Sequence, residues 1–275
     1  MKKFRWIHLS DIHFRRNYEK AKDGYKGMLT KMENPLIRLE SSLTSLLKIK
    51  KIDLVIISGD LTEDGEPEDY AFLKQKLQTI LQGIPMIVTL GNHDIKKNFR
   101  IGWLNQIGTE RPYNVVQTYP EFHIISLDNS EHDNPDGHMN KEQKDWLQTT
   151  LKKLSDKPIL LVMHHHLLRE QSSMPTLPEA EETIQLLKGS DILGVLTGHT
   201  HHPYLHHING IPYYTVAGMS FVGEDEGQGI VRFEENYGYN LYSIDKGRFT
   251  HFQVNYYRTD KLLAKLNMQI DSSVL

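Results

Sequence analysis

Five short segments of the sequence carry side chains that bind metal ions. They are Asp11-Ile12-His13, Gly59-Asp60, Gly91-Asn92-His93-Asp94, His164-His165-His166 and Gly198-His199-Thr200-His201. The chain has 15 histidines, and their density is highest in and after the fourth segment. Imidazole, carboxylate and amide ligands together suit Mn, Fe, Zn, Co or Ni better than Ca or Mg. The segments therefore indicate a transition-metal site.

Each of these segments follows a short apolar run that is typical of a buried strand. The runs cover residues 6–9, 54–57, 86–90, 159–163 and 192–196. Because ligands in open α/β sheets lie at the carboxyl ends of the strands, the segments are expected to converge. The predicted metal ligands are Asp11, His13, Asp60, Asn92, His164, His199 and His201. These seven side chains are enough to bind two ions. Asp60 is expected to bind both, because its carboxylate has two oxygens.

The chemistry expected of such a centre is hydrolysis of a phosphoester. Two ions about 3.5–4 Å apart can hold one hydroxide between them and clamp a phosphoryl group for in-line displacement. His93 follows a predicted ligand directly, and we predict that it is the general acid that protonates the leaving oxygen. Asp94 is expected either to orient His93 or to pair with a helix N-terminus.

The elements between the strands follow a helical pattern. Apolar spacing predicts helices near residues 35–47, 70–81, 140–154 and 178–188, so the chain is α/β with a largely parallel sheet. Residues 211–257 are expected to form antiparallel strands that complete a second sheet. Residues 258–275 are expected to be a C-terminal tail that begins with a short helix through Leu266. We expect one domain over residues 1–275.

The composition excludes several classes of protein. Hydrophobic residues make up 39% and charged residues 24% of the 275, which excludes intrinsic disorder. There is no Cys, so disulfides and thiolate metal sites are excluded. A formal net charge of −3 gives no reason to expect a nucleic-acid partner. The apolar runs are far shorter than the roughly 18 residues of a spanning helix, so we expect no membrane association. The residues before Asp11 lack the apolar region and small-residue cleavage site typical of a signal peptide, so a cytoplasmic location is expected.

Taken in order, the five segments resemble those of the calcineurin-like metallophosphoesterases, over residues 6–201. The resemblance implies a four-layer αββα sandwich of two mixed β-sheets flanked by helices. It also implies two Mn, Fe or Zn ions and a catalytic role for His93. By motif, one ion would take Asp11, His13, Asp60 and His201, and the other would take Asp60, Asn92, His164 and His199.

One segment departs from the pattern of this family. Leu167 stands where a proline often follows the histidines. The choice of His164 among the three adjacent histidines rests on its position nearest the strand end. His165, beside it, is predicted to contact the substrate.

Within the family, the chain most resembles the bacterial class III cyclic-nucleotide phosphodiesterases. Residues 137–147 are similar to the helix that precedes the fourth motif in that group. We therefore expect hydrolysis of a small, cyclic-nucleotide-like phosphodiester through a metal-bridging hydroxide. The alternatives are a phosphomonoesterase or phosphoprotein phosphatase, a nuclease and a non-catalytic metal-binding scaffold. The roles of residues 14–34 and 167–178, and the oligomeric state, stay open.

Overall fold

The computed structural model describes residues 3–18, 22–132 and 134–268. Its strands are β1 (Phe4–Leu9), β2 (Leu54–Ser58), β3 (Met86–Thr89), β4 (Val115–Thr118), β5 (His123–Ser126), β6 (Ile159–Val162), β7 (Ile192–Thr197), β8 (Tyr204–Ile208), β9 (Ile211–Thr215), β10 (Val222–Asp225), β11 (Ile230–Glu234), β12 (Tyr237–Asp245), β13 (Arg248–Tyr257) and β14 (Leu262–Asn267). Its α-helices are α1 (Gly24–Leu29), α2 (Pro35–Ile49), α3 (Pro67–Leu81), α4 (Lys96–Gly102), α5 (Lys141–Lys153) and α6 (Ala180–Leu187). A 3₁₀ turn covers Arg169–Gln171.

Two mixed sheets form the centre of the structure. The first has the strand order β13-β12-β1-β2-β3, and the second has the order β4-β5-β6-β7-β9-β8. In the first, β1, β2 and β3 are parallel, while β12 is antiparallel to β1. In the second, β5, β6, β7 and β9 are parallel, and β4 and β8 are antiparallel edge strands.

The packing of apolar side chains shows four layers. Ile7 of β1 packs with Leu43 of α2 and Leu73 of α3 in a core on one side of the first sheet. Trp6, one residue earlier, packs with Leu160 of β6 in a core between the two sheets. A third core joins the second sheet to α5 and α6. Because β1 is buried on both faces, its sequence is continuously apolar. The predicted four-layer αββα sandwich is confirmed.

The predicted helices are present with small shifts at their ends. The predicted capping box at the start of α5 is present, since the Asn140 side chain accepts from the Gln143 backbone N–H and the Gln143 side chain accepts from the Asn140 backbone N–H. Pro35 is the first residue of α2, as expected of a residue that needs no hydrogen-bonded N–H there. Helices α1 and α4 were not predicted, because both are short and give little apolar repeat.

The strands after residue 211 are arranged differently from the prediction. β9 pairs parallel with β7 in the second sheet, whereas β12 and β13 extend the first sheet. β10, β11 and β14 form a separate three-stranded antiparallel sheet. Tyr242 of β12 explains part of this, because it stacks on Trp6 in the core between the two central sheets.

The predicted helix at the C-terminus is wrong. Residues 262–267 form β14, which pairs antiparallel with β11. Leu262 is exposed and Leu263 is buried, an alternation that fits a strand with one covered face. Leu263 packs with Met28 and Leu29 of α1, so this third sheet is covered by α1. The last part of the predicted tail, residues 269–275, lies outside the described residues.

Within residues 3–18, 22–132 and 134–268, no helix has both the length and the apolar character that crossing a bilayer requires.

Candidate metal centre

The predicted metal ligands follow the carboxyl ends of strands in both central sheets. β1, β2, β3, β6 and β7 end just before the five sequence segments, as predicted. The loops that follow bring the side chains into one connected cluster. Its members are Asp11, His13, Asp60, Asn92, His164, His199 and His201.

Four of these residues form a compact group of ligand atoms. One atom each from Asp11, His13, Asp60 and His201 lies within 4.8 Å of the others, and all four residues are buried. Nε2 of His13 is 3.4 Å from Oδ2 of Asp60. Nε2 of His201 is 3.3 Å from Oδ1 of Asp11. The spacing and the mixed nitrogen and oxygen donors fit a single transition-metal ion.

The remaining predicted ligands form a second group of donors that also approaches Asp60. Nε2 of His164 is 3.3 Å from Oδ2 of Asp60, the same oxygen that faces His13. The rings of His164 and His199 have their centroids 5.1 Å apart. Nδ1 of His199 is 3.1 Å from Oδ1 of Asn92. Asp60 therefore lies between two groups of donors.

Hydrogen bonds orient three of the imidazole rings toward the cluster. Their Nδ1 atoms lie near acceptors, which are Glu63 Oε2 at 2.6 Å from His13, the Ser58 carbonyl at 2.7 Å from His164 and the Phe221 carbonyl at 3.1 Å from His201. Since a carbonyl or carboxylate oxygen can only accept, each Nδ1 donates. In the neutral rings, Nε2 is then left with a lone pair that faces the cluster. Metal-bound histidines are commonly oriented in this way, by an acceptor that binds the other ring nitrogen. Nε2 of His164 is buried and has no hydrogen-bond partner among the described residues. The residues present therefore fit bound metal ions.

The charges in the cluster are strongly coupled. Burial alone would raise the pKa of Asp60, but the nearby charges of His164 and His93 lower it well below its usual value. Burial alone would lower the pKa of His13, but its hydrogen bond to Glu63 and the charges of Glu63 and Asp60 raise it to about 9. The pKa of His164 is also raised to about 9, because the charge of Asp60 outweighs the effect of burial.

The backbone at this edge is strained. Five predicted ligands have left-handed φ angles, which are 52° at Asp11, 47° at His13, 47° at Asp60, 69° at His199 and 57° at His201. Residues with side chains rarely adopt this region, and each such case costs of the order of 1–3 kcal/mol. Gly59 also has a positive φ, of 98°, and a Cβ there would collide with the His164 ring. Such a concentration of strain is typical of functional sites.

His93 lies beside the first group and is held by Glu63. Nδ1 of His93 donates to the Glu63 carbonyl at 3.1 Å and is 3.6 Å from Oε1 of the same residue. The backbone N–H of His93 donates to Oδ1 of Asp60 at 3.0 Å. Glu63 was missed by the sequence reasoning, because an acid three residues after Asp60 looks like any other loop acid.

Asp94 does not orient His93 in the structure. Its buried carboxylate accepts from the backbone N–H groups of Gly91 and Leu61 at 2.9 and 3.1 Å, and from the Tyr70 hydroxyl at 2.9 Å. Asp94 therefore ties the loop after β3 to the loop after β2. Burial, together with the charge of Asp60, raises the pKa of Asp94 to about 6.

Comparison with known proteins identifies the family. A model of the family described as calcineurin-like phosphoesterase matches residues 4–203. The chain belongs to this family. The resemblance inferred from the five segments is therefore confirmed, and the chain is a hydrolase of phosphoesters.

Relatives of this calcineurin-like phosphoesterase carry two kinds of name. A probable cyclic nucleotide phosphodiesterase of Rhodococcus erythropolis is 28% identical over 75% of this chain and 67% of its own length. Another of that name, from Xenorhabdus bovienii, is 24% identical over 86% of this chain and 93% of its own length. A probable glycerophosphodiester phosphodiesterase of Arcobacter nitrofigilis is 30% identical over 55% of this chain and 57% of its own length.

Solved structures support the fold of the phosphoesterase. The Plasmodium protein GAP50 aligns with a TM-score of 0.61 at 14% identity, over 97% of this chain and 88% of its own. PhoD aligns with a TM-score of 0.58 at 12% identity, over 97% of this chain and 72% of its own. At these identities the likeness shows a shared fold.

The two histidines after His164 are buried next to the phosphoesterase centre. His165 has no exposed surface, and neither ring nitrogen has a hydrogen-bond partner among the described residues. One of its nitrogens lies within 4.8 Å of ligand atoms of His164 and His199. His165 does not line the cavity that adjoins the centre. His166 is equally buried but belongs to neither group of donors.

A cavity that is partly open to solvent adjoins the centre. Its polar end is formed by cluster residues and by His93. Its other side chains come from α1, the loop between β5 and α5, the loops after β6 and β7, and the three-stranded sheet with the residues next to its strands. These include Tyr25, Met174, Phe221, Val231 and Phe233. Residues from both segments whose roles the sequence left open, 14–34 and 167–178, therefore contribute to the cavity wall.

Proposed function

We propose that this chain hydrolyses a small phosphodiester of the cyclic-nucleotide type at a centre of two metal ions. One observation carries the proposal. A single oxygen, Oδ2 of Asp60, lies 3.4 Å from Nε2 of His13 and 3.3 Å from Nε2 of His164. A carboxylate between two groups of imidazole donors is the arrangement that a shared ligand requires.

The proposed ligand sets are those implied by the family motifs, and the position of Asp60 supports them. One ion would be held by Asp11, His13, Asp60 and His201, and the other by Asp60, Asn92, His164 and His199. The donors suit Mn, Fe or Zn. When bound, the ions supply Lewis-acid polarisation of the phosphoryl oxygens and activation of water.

His93 is the general acid of the proposed reaction. Its Nδ1–H donates to the Glu63 carbonyl, which fixes the orientation of the ring and leaves Nε2 for the substrate. His93 also lines the cavity. The protonated ring donates its Nε2 proton to the leaving oxygen as the P–O bond breaks. Because Asp60 accepts from the His93 backbone, the same residue positions both the ions and the acid.

Two observations support a diester substrate with an organic group on each side of the phosphate. The cavity next to His93 is lined by aromatic and aliphatic side chains, which can hold a nucleoside or another apolar group. Relatives that cover most of their own length in the comparison carry phosphodiesterase names. A phosphomonoester has only one organic group and therefore no second group to place against this wall.

The test compares two chromogenic esters with the same leaving group. Metal-free protein is loaded with Mn²⁺, and kcat/KM is measured for bis(p-nitrophenyl) phosphate and for p-nitrophenyl phosphate. We expect a clear preference for the diester, followed by hydrolysis of 3′,5′-cyclic nucleotides. A preference for the monoester would contradict the proposal and indicate a phosphomonoesterase on the same centre.

A further inference from the structure

The apolar part of the cavity begins directly at the metal centre. The ring of Phe221 stacks on His201, with centroids 4.3 Å apart and planes at 14°. Phe233 packs edge-on against Phe221 at 5.5 Å, and Tyr25 packs against Phe233 at 6.2 Å. A group attached to the reacting phosphate is therefore adjacent to an aromatic wall.

The charged side chains in the rest of the wall have one sign. Asp136 and Asp225 line the cavity, whereas no Lys or Arg does so among the described residues. Clefts that bind polyphosphates or other multiply charged anions need cationic partners for each anionic group. Away from the metal centre, this cavity offers such a group two carboxylates instead.

Asp225 is fixed in its charged form by the loop that the sequence singled out. Its carboxylate accepts from the Ser173 backbone N–H, from the Ser173 hydroxyl at 2.8 Å and from the Ser172 hydroxyl at 3.1 Å. It also accepts from the Gly227 backbone at 2.8 Å. Burial opposes ionisation, but these hydrogen bonds lower the pKa of Asp225 below its usual value.

Asp136 lies in the loop that leads to α5. It is half-buried, and its carboxylate has no hydrogen-bond or ion-pair partner within the described part of the chain. Its backbone N–H donates to Oδ1 of Asn134 at 3.3 Å, so the loop is held without help from the side chain. Because the carboxylate is not needed for that contact, it can be replaced with little expected effect on the fold.

We propose that Asp136 and Asp225 restrict this enzyme to substrates whose only anionic group is the reacting phosphate. An apolar or cationic substituent meets the aromatic wall, whereas a second phosphate or carboxylate meets two like charges. This is selection by repulsion, which is a common route to specificity. The proposal rests on the phosphodiesterase function proposed above and defines the class of diester that is accepted.

The experiment uses two esters that differ by one anionic group. They are thymidine 5′-(p-nitrophenyl phosphate) and the same compound with an additional 3′-phosphate, and both release p-nitrophenolate from a diester. Burial raises the pKa of Asp136, so the Mn²⁺-loaded enzyme is assayed at pH 8. We expect kcat/KM to be about tenfold or more higher for the ester without the 3′-phosphate.

Charge variants then assign this preference to the two residues. Asp136→Asn should reduce the ratio of the two kcat/KM values, and Asp136→Lys should abolish or invert it. Glu110→Lys makes the same change in net charge at an exposed position outside the cavity wall, and it should keep the wild-type ratio. Asp225→Asn should also reduce the ratio. Metal content is measured for every variant.

The outcomes separate this inference from the proposed function. If the wild type hydrolyses neither diester, the phosphodiesterase proposal fails. If it hydrolyses both equally well, or if Asp136→Lys and Asp225→Asn keep the wild-type ratio, the charge selection is wrong while the phosphodiesterase function stands.

Discussion

Nε2 of His13 and Nε2 of His201 lie 3.1 Å apart in the centre of the cluster. Both rings direct Nδ1 toward an acceptor, which is Glu63 for His13 and the Phe221 carbonyl for His201. In their neutral forms the two rings therefore point lone pairs at each other. A metal ion or a proton between the two nitrogens is attracted to both lone pairs and removes this repulsion.

The competition between proton and metal predicts a pH dependence of metal binding. His13 and His164 have pKa values of about 9 in the metal-free fold, and an ion must displace these protons. We therefore expect Mn²⁺ affinity to increase from pH 6 to pH 9, as measured by competition with a chromogenic chelator. Affinity that stays constant over this range would contradict these assignments.

The same raised pKa values predict how the metal-free protein responds to pH. A raised folded-state pKa gives stability that is fully present below the unfolded value of about 6.5 and is lost as the pH rises through about 9. The contribution of His13 and His164 should therefore decrease between these two pH values. Chemical denaturation of the metal-free wild type and of His164→Ala at both pH values measures it. If the free energy of unfolding decreases between these pH values no more in the wild type than in His164→Ala, then His164 does not contribute to the decrease.

Removal of His93 should separate catalysis from metal binding. We expect His93→Ala to lower kcat for a 3′,5′-cyclic nucleotide by about 10²–10⁴-fold, the range for loss of a general acid, because its alkoxide leaving group must be protonated. The loss should be much smaller for bis(p-nitrophenyl) phosphate, whose p-nitrophenolate leaves as an anion. The metal content should remain that of the wild type. His202→Ala is the matched control, because His202 also lines the cavity and its Nδ1 lies 2.9 Å from the Thr200 carbonyl. A parallel loss of metal and activity in His93→Ala would show that His93 is a ligand.

Glu63 should support metal binding without binding metal itself. Its carboxylate accepts from Nδ1 of His13 at 2.6 Å, which orients that ring. Loss of such a partner typically weakens metal affinity by about 10–100-fold. We expect Glu63→Ala to show this loss, and Glu63→Gln to show a smaller one because the amide oxygen can still accept. Wild-type metal affinity in both variants would contradict this role of Glu63 in orienting His13.

Asp94 is predicted to stabilise the two loops that carry Asp60 and Asn92. Asp94→Ala leaves buried backbone N–H groups without an acceptor, at about 1–3 kcal/mol for each group. Tyr70→Phe removes the hydroxyl that donates to Asp94 and accepts from the Ile95 backbone N–H, at about 1 kcal/mol for each hydrogen bond, and should cost less than Asp94→Ala. Urea denaturation of the metal-free proteins compares them. Equal losses in the two variants would show that the backbone contacts contribute little.

The sequence was sufficient to predict that the candidate ligands lie close together, because they follow strands that are recognisable locally. Asp60 comes directly after a continuous apolar run, and so does His164. Parallel strands bring such ends to a common edge, so local pattern was enough to bring distant residues together. The predicted roles of individual ligands remain predictions that the variants above test.

The strand β14, the contacts of Glu63 and the aromatic wall were not predicted, because they depend on contacts between residues that are far apart in the sequence. Nothing in residues 262–267 favours a strand until β11 provides a partner for it. The contact of Glu63 with two histidines depends on how the loop after β2 folds against the loop after β1. The aromatic wall joins Tyr25 to Phe221 and Phe233, which are far apart in the sequence and lack a common motif.

Sharing of Asp60 by two metal ions can be examined by a metal titration. Mn²⁺ is added to metal-free wild type and to Asp60→Asn, while bound metal per chain and hydrolysis of bis(p-nitrophenyl) phosphate are measured in parallel. We expect two ions per wild-type chain, with full activity only when both are bound, and weakened binding at both positions in Asp60→Asn. Full activity with one ion per chain, or two tightly bound ions in Asp60→Asn, would contradict the sharing of Asp60.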